Sequence, residues 1–290
     1  MLLSQSQLET YKKYQLILLV NLSVIVWVLL ILSPELLSLN VQLLLLLVTV
    51  TIIGIPHGYF DFLVAKKLFS YSQNWLMKFI FVYLLMSFLY LYVWFLSPLL
   101  ALLLFLLMAL YHFGIEETQD IGINRMSLVI SLGSLPVIAP ILFQSEEVFY
   151  LFNILLNEEI IYPEIPSQFK YIYLIILIVI ISIQCVRILP LYFLLIANFI
   201  FIPPLLSFIL YFCFHHSIRH YLQSFSDSNL FTEKSSVKNF VIFFLTLTIF
   251  FSIGSIYLMS EILLFTLEQT VIKYIFITLA CLTFPHLILN

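Results

Sequence analysis

The sequence predicts an all-α fold, a polytopic bundle of transmembrane helices with about eight to ten spans. Three observations lead to this prediction: 63% of the 290 residues are hydrophobic, only 9% are charged, and the apolar residues occur in long runs. Soluble domains contain about 25% charged residues, whereas a membrane span needs roughly 20 consecutive apolar ones. We therefore expect residues 1–290 to form a single integral membrane domain.

Charges, prolines and polar clusters divide the chain into ten apolar segments. These cover residues 14–33, 40–64, 76–96, 98–115, 125–143, 170–187, 190–202, 204–222, 239–260 and 269–289. The break before residue 204 depends on Pro203-Pro204, because tandem prolines remove two backbone donors and clash with the preceding turn. One long bent helix through this region is the alternative.

The basic residues predict the orientation of the chain, since Lys and Arg in short loops stay in the cytoplasm. With ten spans and the N-terminus inside, every basic residue except Lys170 and Lys273 falls at the inner side. A single crossing over 190–222 would move Lys234 and Lys238 outside, so the ten-span division is favoured. The expected location is the cell inner membrane, with both termini cytoplasmic.

The segment 144–169 is acidic and contains a partly amphipathic stretch around 148–156. Amphipathic helices of this kind lie in the plane of the interface, so we place this segment on the outer surface of the membrane. The chain has no basic patch with interleaved aromatic residues, and nucleic acid is therefore not an expected partner.

All six histidines lie in or beside apolar segments, within the motifs GIPHGYFD, YHFGIEE, FHHSIRHY and FPHLIL. They are His57, His112, His215, His216, His220 and His286. A single histidine near a helix end is more often an interfacial hydrogen-bonding residue than a metal ligand. Here, however, spans 2, 4, 8 and 10 all run inward and carry their histidines toward the inner end. We therefore expect a metal site among the helices near the cytoplasmic face.

Helical spacing separates the candidate ligands from their neighbours. His216 and His220 are four residues apart and share one helix face, whereas His215 is turned about 100 degrees away from His216. His215 is thus expected to support the site without binding the same ion. Imidazole ligands without cysteine suit iron, copper or zinc, and the residues alone do not choose among these metals.

Carboxylates and glycines accompany the histidines. Asp61, four residues after His57, could accept the free N–H of a metal-bound imidazole or pair at a helix end with Lys66 or Lys67. The same alternatives apply to Glu116 and Glu117, which follow His112 closely. The small residues of these motifs are expected to allow close helix approach or a helix break. They are Gly54, Gly58 and Gly114.

In this order and spacing, the four motifs resemble those of the Brp/Blh family of membrane β-carotene 15,15'-dioxygenases, over residues 52–288. The resemblance implies an Fe(II) enzyme that cleaves the central 15,15' double bond of β-carotene with O2 into two all-trans-retinal. The iron ligands it implies are His57, His112, His216 and His220. His286 matches an element that we assign to the pocket or to support of the ligands. Glu117 stands where the family usually has aspartate.

The resemblance makes β-carotene and O2 the expected substrates, membrane lipid the source of the carotenoid, and a rhodopsin the candidate acceptor of retinal. Other functions fit parts of the pattern. A haem-binding membrane protein would also place histidines on facing helices, and a non-catalytic carotenoid-binding or retinal-binding protein could assist rhodopsin assembly. A di-iron desaturase needs more histidines than the six present, and the absence of an internal repeat disfavours a transporter.

Overall fold

The computed structural model describes residues 4–161, 164–226 and 234–289, without the side chains of His57, Ser226, residues 234–238 and Phe240. The described part is an all-α bundle, so the predicted fold class is confirmed. Its α-helices are α1 (Gln5–Leu32), α2 (Leu39–Thr49), α3 (Phe60–Phe69), α4 (Trp75–Leu96), α5 (Pro98–Ile121), α6 (Met126–Phe143), α7 (Ser145–Leu156), α8 (Ser167–Cys185), α9 (Leu189–Phe201), α10 (Pro204–Ile209), α11 (Ile218–Ser226), α12 (Lys234–Tyr257) and α13 (Leu267–Leu289).

Within the described part, seven stretches of helix are long and apolar enough to cross a membrane. They are Gln5–Leu32, Trp75–Leu96, Pro98–Ile121, Met126–Phe143, Ser167–Phe201, Val241–Ile262 and Leu267–Leu289. Two of the ten predicted segments, 40–64 and 204–222, form shorter or interrupted helices instead, and the segments 170–187 and 190–202 both correspond to the one stretch Ser167–Phe201. The predicted break is present, because α9 ends at Phe201 and α10 begins with Pro204, which occupies the first helical turn where a missing N–H is tolerated.

α1 begins at Gln5, earlier than the apolar run that starts at residue 14. Its first turn is stabilised by a capping box, in which Gln7 N donates to Ser4 Oγ (3.2 Å) and Ser4 N donates to Gln7 Oε1 (2.9 Å). The S-x-x-Q spacing that produces this cap lies outside the apolar pattern. The apolar run therefore predicts the span but not the start of the helix.

The histidine motifs interrupt regular α-helix. Val50–Gly54 is π-helical and continues into the 3₁₀ turn Ile55–Tyr59, which contains the backbone of His57. Leu210–Ser217 is also π-helical and carries His215 and His216 between α10 and α11. Such turns re-aim side chains relative to a regular helix and occur frequently at functional sites.

Helices α5 and α6 pack closely through glycine. A Cβ atom on Gly114 would lie 2.0 Å from the backbone oxygen of Val129, and one on Gly133 would lie 1.8 Å from that of Leu110. Gly54 is similarly tight against the ring of Phe212. Close approach is thus found at two of the three motif glycines, whereas a Cβ on Gly58 would meet nothing within 4 Å.

The acidic segment between α6 and α8 contains the amphipathic helix α7, as the sequence predicts. Its residues Val148 and Leu155 are buried, whereas Tyr150 is exposed. Lys273 of α13 donates to the backbone oxygens of Ile154 and Leu155. Because the last carbonyls of a helix lack partners within it, Lys273 stabilises the end of α7. This contact explains one of the two basic residues that depart from the inner-side pattern.

Gly133→Ala is expected to destabilise the bundle by about 1–3 kcal/mol, because a methyl group there has no space against the backbone of α5. The matched control is Gly254→Ala in α12, where a Cβ would meet nothing within 4 Å. Thermal unfolding of the detergent-solubilised variants, monitored by size-exclusion chromatography after heating, would measure the difference in their unfolding midpoints. Equal midpoints for the two variants would contradict the close contact of α5 and α6.

Candidate metal centre

The carboxylate of Glu116 on α5 lies among four imidazoles. Its distances are 3.2 Å to Nδ1 of His220, 3.7 Å to Nε2 of His216, 3.8 Å to Nε2 of His112 and 3.9 Å to Nε2 of His286. The imidazoles come from α5, from the π-helical turn, from α11 and from α13. Candidate ligand atoms of His112, Glu116 and His286 lie within 4.8 Å of one another. Three parts of the chain that are distant in sequence, α5, residues 210–226 and α13, thus meet at this cluster.

Three of the four histidines proposed as ligands belong to this cluster. The ring centroid of His112 lies 5.1 Å from that of His216, and both face Glu116 together with His220. The fourth, His57, has its backbone in the turn Ile55–Tyr59, and its side chain lies outside the described part. The structure therefore supports the expected convergence for three residues, and the assignment of ligand roles stays a prediction.

Aromatic side chains fix the orientation of His216. Phe113 contacts it edge to face, with centroids 4.8 Å apart and planes at 85°, and Phe212 stacks on it at 17° and 5.9 Å. Both arrangements are favourable for π systems. The imidazole is therefore held in place before any ion binds.

Asp61 orients an imidazole, although not the one nearest in sequence. Its Oδ1 lies 2.6 Å from Nδ1 of His286, and its Oδ2 accepts from the hydroxyl of Tyr83 (2.9 Å). Asp61 is only 2% exposed. A proton on Nδ1 that is held by the carboxylate leaves Nε2 as the acceptor facing the cluster, the usual arrangement behind a metal-bound histidine. Sequence spacing could not reveal this pair, because the partners are 225 residues apart.

His215 and Glu117 form a second pair behind the cluster. Nε2 of His215 lies 2.8 Å from Oε1 of Glu117, whose Oε2 accepts from Tyr192 (3.0 Å) and lies 3.7 Å from Nη1 of Arg219. Consecutive residues on a helix point about 100 degrees apart. Glu116 thus faces the four imidazoles while Glu117 faces His215.

A network of charged residues ties the helices together beside this pair. Asp120 on α5 contacts Lys12 of α1, accepts from Nη1 of Arg219 (3.0 Å) and accepts from Nε2 of Gln223 (2.7 Å). Lys12 and Arg219, which sequence analysis places at the same membrane side, meet one carboxylate. The network anchors α1 and α11 to the helix that carries the cluster.

An apolar cavity of about 870 Å³ adjoins the cluster, within the range typical of ligand pockets. Asp61, His112 and His286 form part of its wall, which is otherwise almost entirely aliphatic and aromatic. Leu102 and His112, ten residues apart on α5, both line the cavity. Because an α-helix rises about 1.5 Å per residue, the cavity extends about 15 Å along α5. The polar cluster therefore faces a long apolar space.

The walls of the cavity differ in exposure. Where α5, α7 and α13 form the wall, lining residues such as Leu102, Val148 and Leu279 are buried. Where α4 and α12 form it, Leu84 is 49% and Phe251 is 62% exposed. The cavity thus reaches the outer surface of the bundle at α4 and α12.

The fold and the site together define a class of integral membrane proteins that present a buried histidine and carboxylate cluster to an apolar cavity. Within this class, the chain belongs to the β-carotene 15,15'-dioxygenase family, whose model matches residues 48–290. The β-carotene 15,15'-dioxygenase of an uncultured marine bacterium 66A03 is 30% identical over 264 residues, covering 84% of this chain and 90% of the relative. No solved structure matches the chain. The family inferred from the four motifs is confirmed, and with it the class of carotenoid dioxygenases.

Two residues of the cluster are absent from the predicted ligand set. Glu116 follows His112 by four residues, which is the same spacing that pairs His216 with His220 on one helix face. That signal was present in the sequence. His286 offers no comparable signal, because its position depends on how α13 packs in the bundle.

Asp61→Asn is expected to weaken binding of a divalent transition metal by about 10–100-fold, because an uncharged amide holds the Nδ1 proton of His286 less firmly. Tyr83→Phe is the control, since it removes the other hydrogen bond to the same carboxylate and keeps the contact with His286. Metal content against a competing chelator, measured by mass spectrometry on purified protein, distinguishes them. A loss in Tyr83→Phe as large as in Asp61→Asn would contradict this role.

Proposed function

We propose that this protein cleaves β-carotene at its central 15,15' double bond with O2, yielding two molecules of all-trans-retinal, at a non-haem Fe(II) centre. The observation that supports the proposal most directly is the position of the cluster, because His112 and His286 belong both to it and to the wall of the apolar cavity. A hydrocarbon bound in that cavity would lie against the histidines.

We assign the iron to His57, His112, His216 and His220. The residues fit such an ion: buried imidazoles from separate helices converge together with one carboxylate, and this donor set suits Fe(II). When bound, the iron would supply the one-electron chemistry needed to activate O2. The aromatic contacts of His216 keep its imidazole directed at the cluster.

The cavity supplies binding and position. A carotene has no polar group that could hydrogen-bond, so its affinity must come from the burial of apolar surface. The apolar wall of the cavity also excludes water from the reacting bond. A cavity that holds the polyene in one position beside the histidines keeps the reacting bond close to the site, which free diffusion of the reactants does not.

The substrate is proposed to enter from the lipid between α4 and α12. Ile80 and Leu84 on α4, and Leu247 and Phe251 on α12, line the cavity and are exposed on the surface of the bundle. A carotenoid dissolved in the bilayer would pass between these helices without crossing water. Retinal would leave into the same lipid, where a rhodopsin is the proposed acceptor. We further propose an inner-membrane location with both termini cytoplasmic.

The geometry disfavours the haem-binding alternative. The ring of His112 lies 5.1 Å from that of His216 and 4.8 Å from that of His286, centroid to centroid. Rings in mutual contact leave no space for a macrocycle between two axial imidazoles. A carotenoid-binding protein without catalysis remains the competing function, and the production of retinal distinguishes it from the enzyme.

Expression of this chain in a bacterial host that accumulates β-carotene is expected to bleach the colour and to produce all-trans-retinal. Chromatography of the extracted pigments measures both. Removing iron from the purified protein with a chelator should abolish turnover, and adding Fe(II) should restore it. Persistent colour with well-expressed, membrane-inserted protein would argue for the non-catalytic function.

Alanine substitution of each proposed ligand is expected to reduce retinal formation below detection. These variants are His57→Ala, His112→Ala, His216→Ala and His220→Ala. His215→Ala should keep a measurable fraction, because His215 contacts Glu117 and not Glu116. Retinal per unit of folded membrane protein is the quantity to compare. Loss in His215→Ala as complete as in the others would show that the helical-face argument chose the wrong imidazoles.

A further inference from the structure

We infer that Glu116 binds the metal directly, so that the centre contains one carboxylate among its imidazoles. The inference rests on the metal centre of the proposed function and adds a residue that neither the motifs nor the family assigns. It is drawn from the position of the Glu116 side chain relative to four imidazoles.

The distances fit ligands that share one ion. Metal bonds to imidazole nitrogen and carboxylate oxygen are about 2.0–2.2 Å, so two atoms bound to the same ion lie at most about 4.4 Å apart. The Glu116 oxygens lie 3.2–3.9 Å from nitrogens of His112, His216, His220 and His286. All four distances are below this limit.

Hydrogen bonding does not account for the arrangement. Three of the four separations, 3.7–3.9 Å, are longer than an N–H···O hydrogen bond, and only His220 approaches that length. A carboxylate that served only to bond imidazoles would be expected closer to one or two of them. Glu116 instead lies at a similar distance from all four, and candidate ligand atoms of Glu116, His112 and His286 all lie within 4.8 Å of one another.

The charges on α5 point to the same assignment. Glu117 and Asp120 each lie beside the guanidinium of Arg219, and Asp120 also contacts Lys12. The described contacts of Glu116, in contrast, are all with imidazoles. A buried carboxylate needs a compensating positive charge, and a divalent ion at the centre of the cluster would supply it.

Direct binding by Glu116 has a consequence for the reaction. Glu116 would take one coordination position of the ion, so fewer positions would be left for imidazoles and for O2. The carboxylate would also halve the net charge of a divalent ion. Both effects distinguish this centre from one built of histidines alone.

The test uses the purified full-length protein in detergent, loaded anaerobically with Fe(II). Glu116→Gln is expected to lower iron affinity by at least about 100-fold, the upper end of what loss of an outer hydrogen-bond partner costs. Glu146→Gln makes the same chemical change at an exposed carboxylate on α7 and should bind iron as the wild type does. Bound iron is measured by mass spectrometry, and folding by size-exclusion chromatography without metal.

A spectroscopic measurement covers the case in which Glu116→Gln does not fold. Glu116→Asp keeps the charge but shortens the side chain, so the electron paramagnetic resonance spectrum of the Fe(II) centre with nitric oxide should change its rhombicity. Glu146→Asp, the same shortening at an exposed carboxylate, should give the wild-type spectrum. Wild-type affinity in folded Glu116→Gln, or an unchanged spectrum in Glu116→Asp, would overturn the assignment.

Retinal formation by the wild type is scored in parallel, which separates this inference from the proposed function. A wild-type protein that binds iron in a Glu116-dependent manner and forms no retinal would remove the proposed function and support the ligand assignment. A wild-type protein that forms retinal while iron binding is indifferent to Glu116 would remove the ligand assignment alone.

Discussion

The structure depends on polar groups that satisfy one another inside an apolar bundle. Lipid is as apolar as the helix surfaces, so hydrophobic burial does not by itself choose one helix neighbour over another. An unpaired polar side chain at membrane depth is costly, however, and this cost makes polar pairing selective. On α5, the residues from His112 to Asp120 find partners on α1, α9, α11 and α13. These polar contacts help to select the other helices that lie beside α5, while α6 packs against it through glycine.

Two pairs of adjacent residues have different roles in the bundle. His216 and Glu116 face the cluster, whereas their neighbours His215 and Glu117 face each other behind it. The π-helical turn Leu210–Ser217 carries both histidines, and α5 carries both acids. The two members of each pair are adjacent on one backbone, so a change in the His215–Glu117 contact would shift His216 and Glu116 within the cluster.

Sequence reasoning predicted the fold class because the apolar runs and the scarcity of charge leave few alternatives. It also predicted the break at Pro203-Pro204 and the convergence of three histidines, since both follow from local backbone chemistry and helix periodicity. It could not predict the contact between Asp61 and His286, because that pair depends on how α3 and α13 pack. It counted every apolar segment as a span. It gave a helix break at GIPHGYFD only as an alternative to close helix approach, and it did not show that the helix would become π-helical at His215 and His216.

The same bundle explains how a hydrocarbon could be cleaved at one bond. A carotene offers no hydrogen-bonding group, so polar contacts cannot locate its centre. In the proposed reaction, the shape of the cavity must do so, and that shape is fixed where buried residues of α5, α7 and α13 form the wall. The cluster lies about 15 Å along α5 from Leu102, at a distance set by the helical rise. In that reaction, the length of α5 between Leu102 and His112 would determine how much of the polyene lies to one side of the cluster.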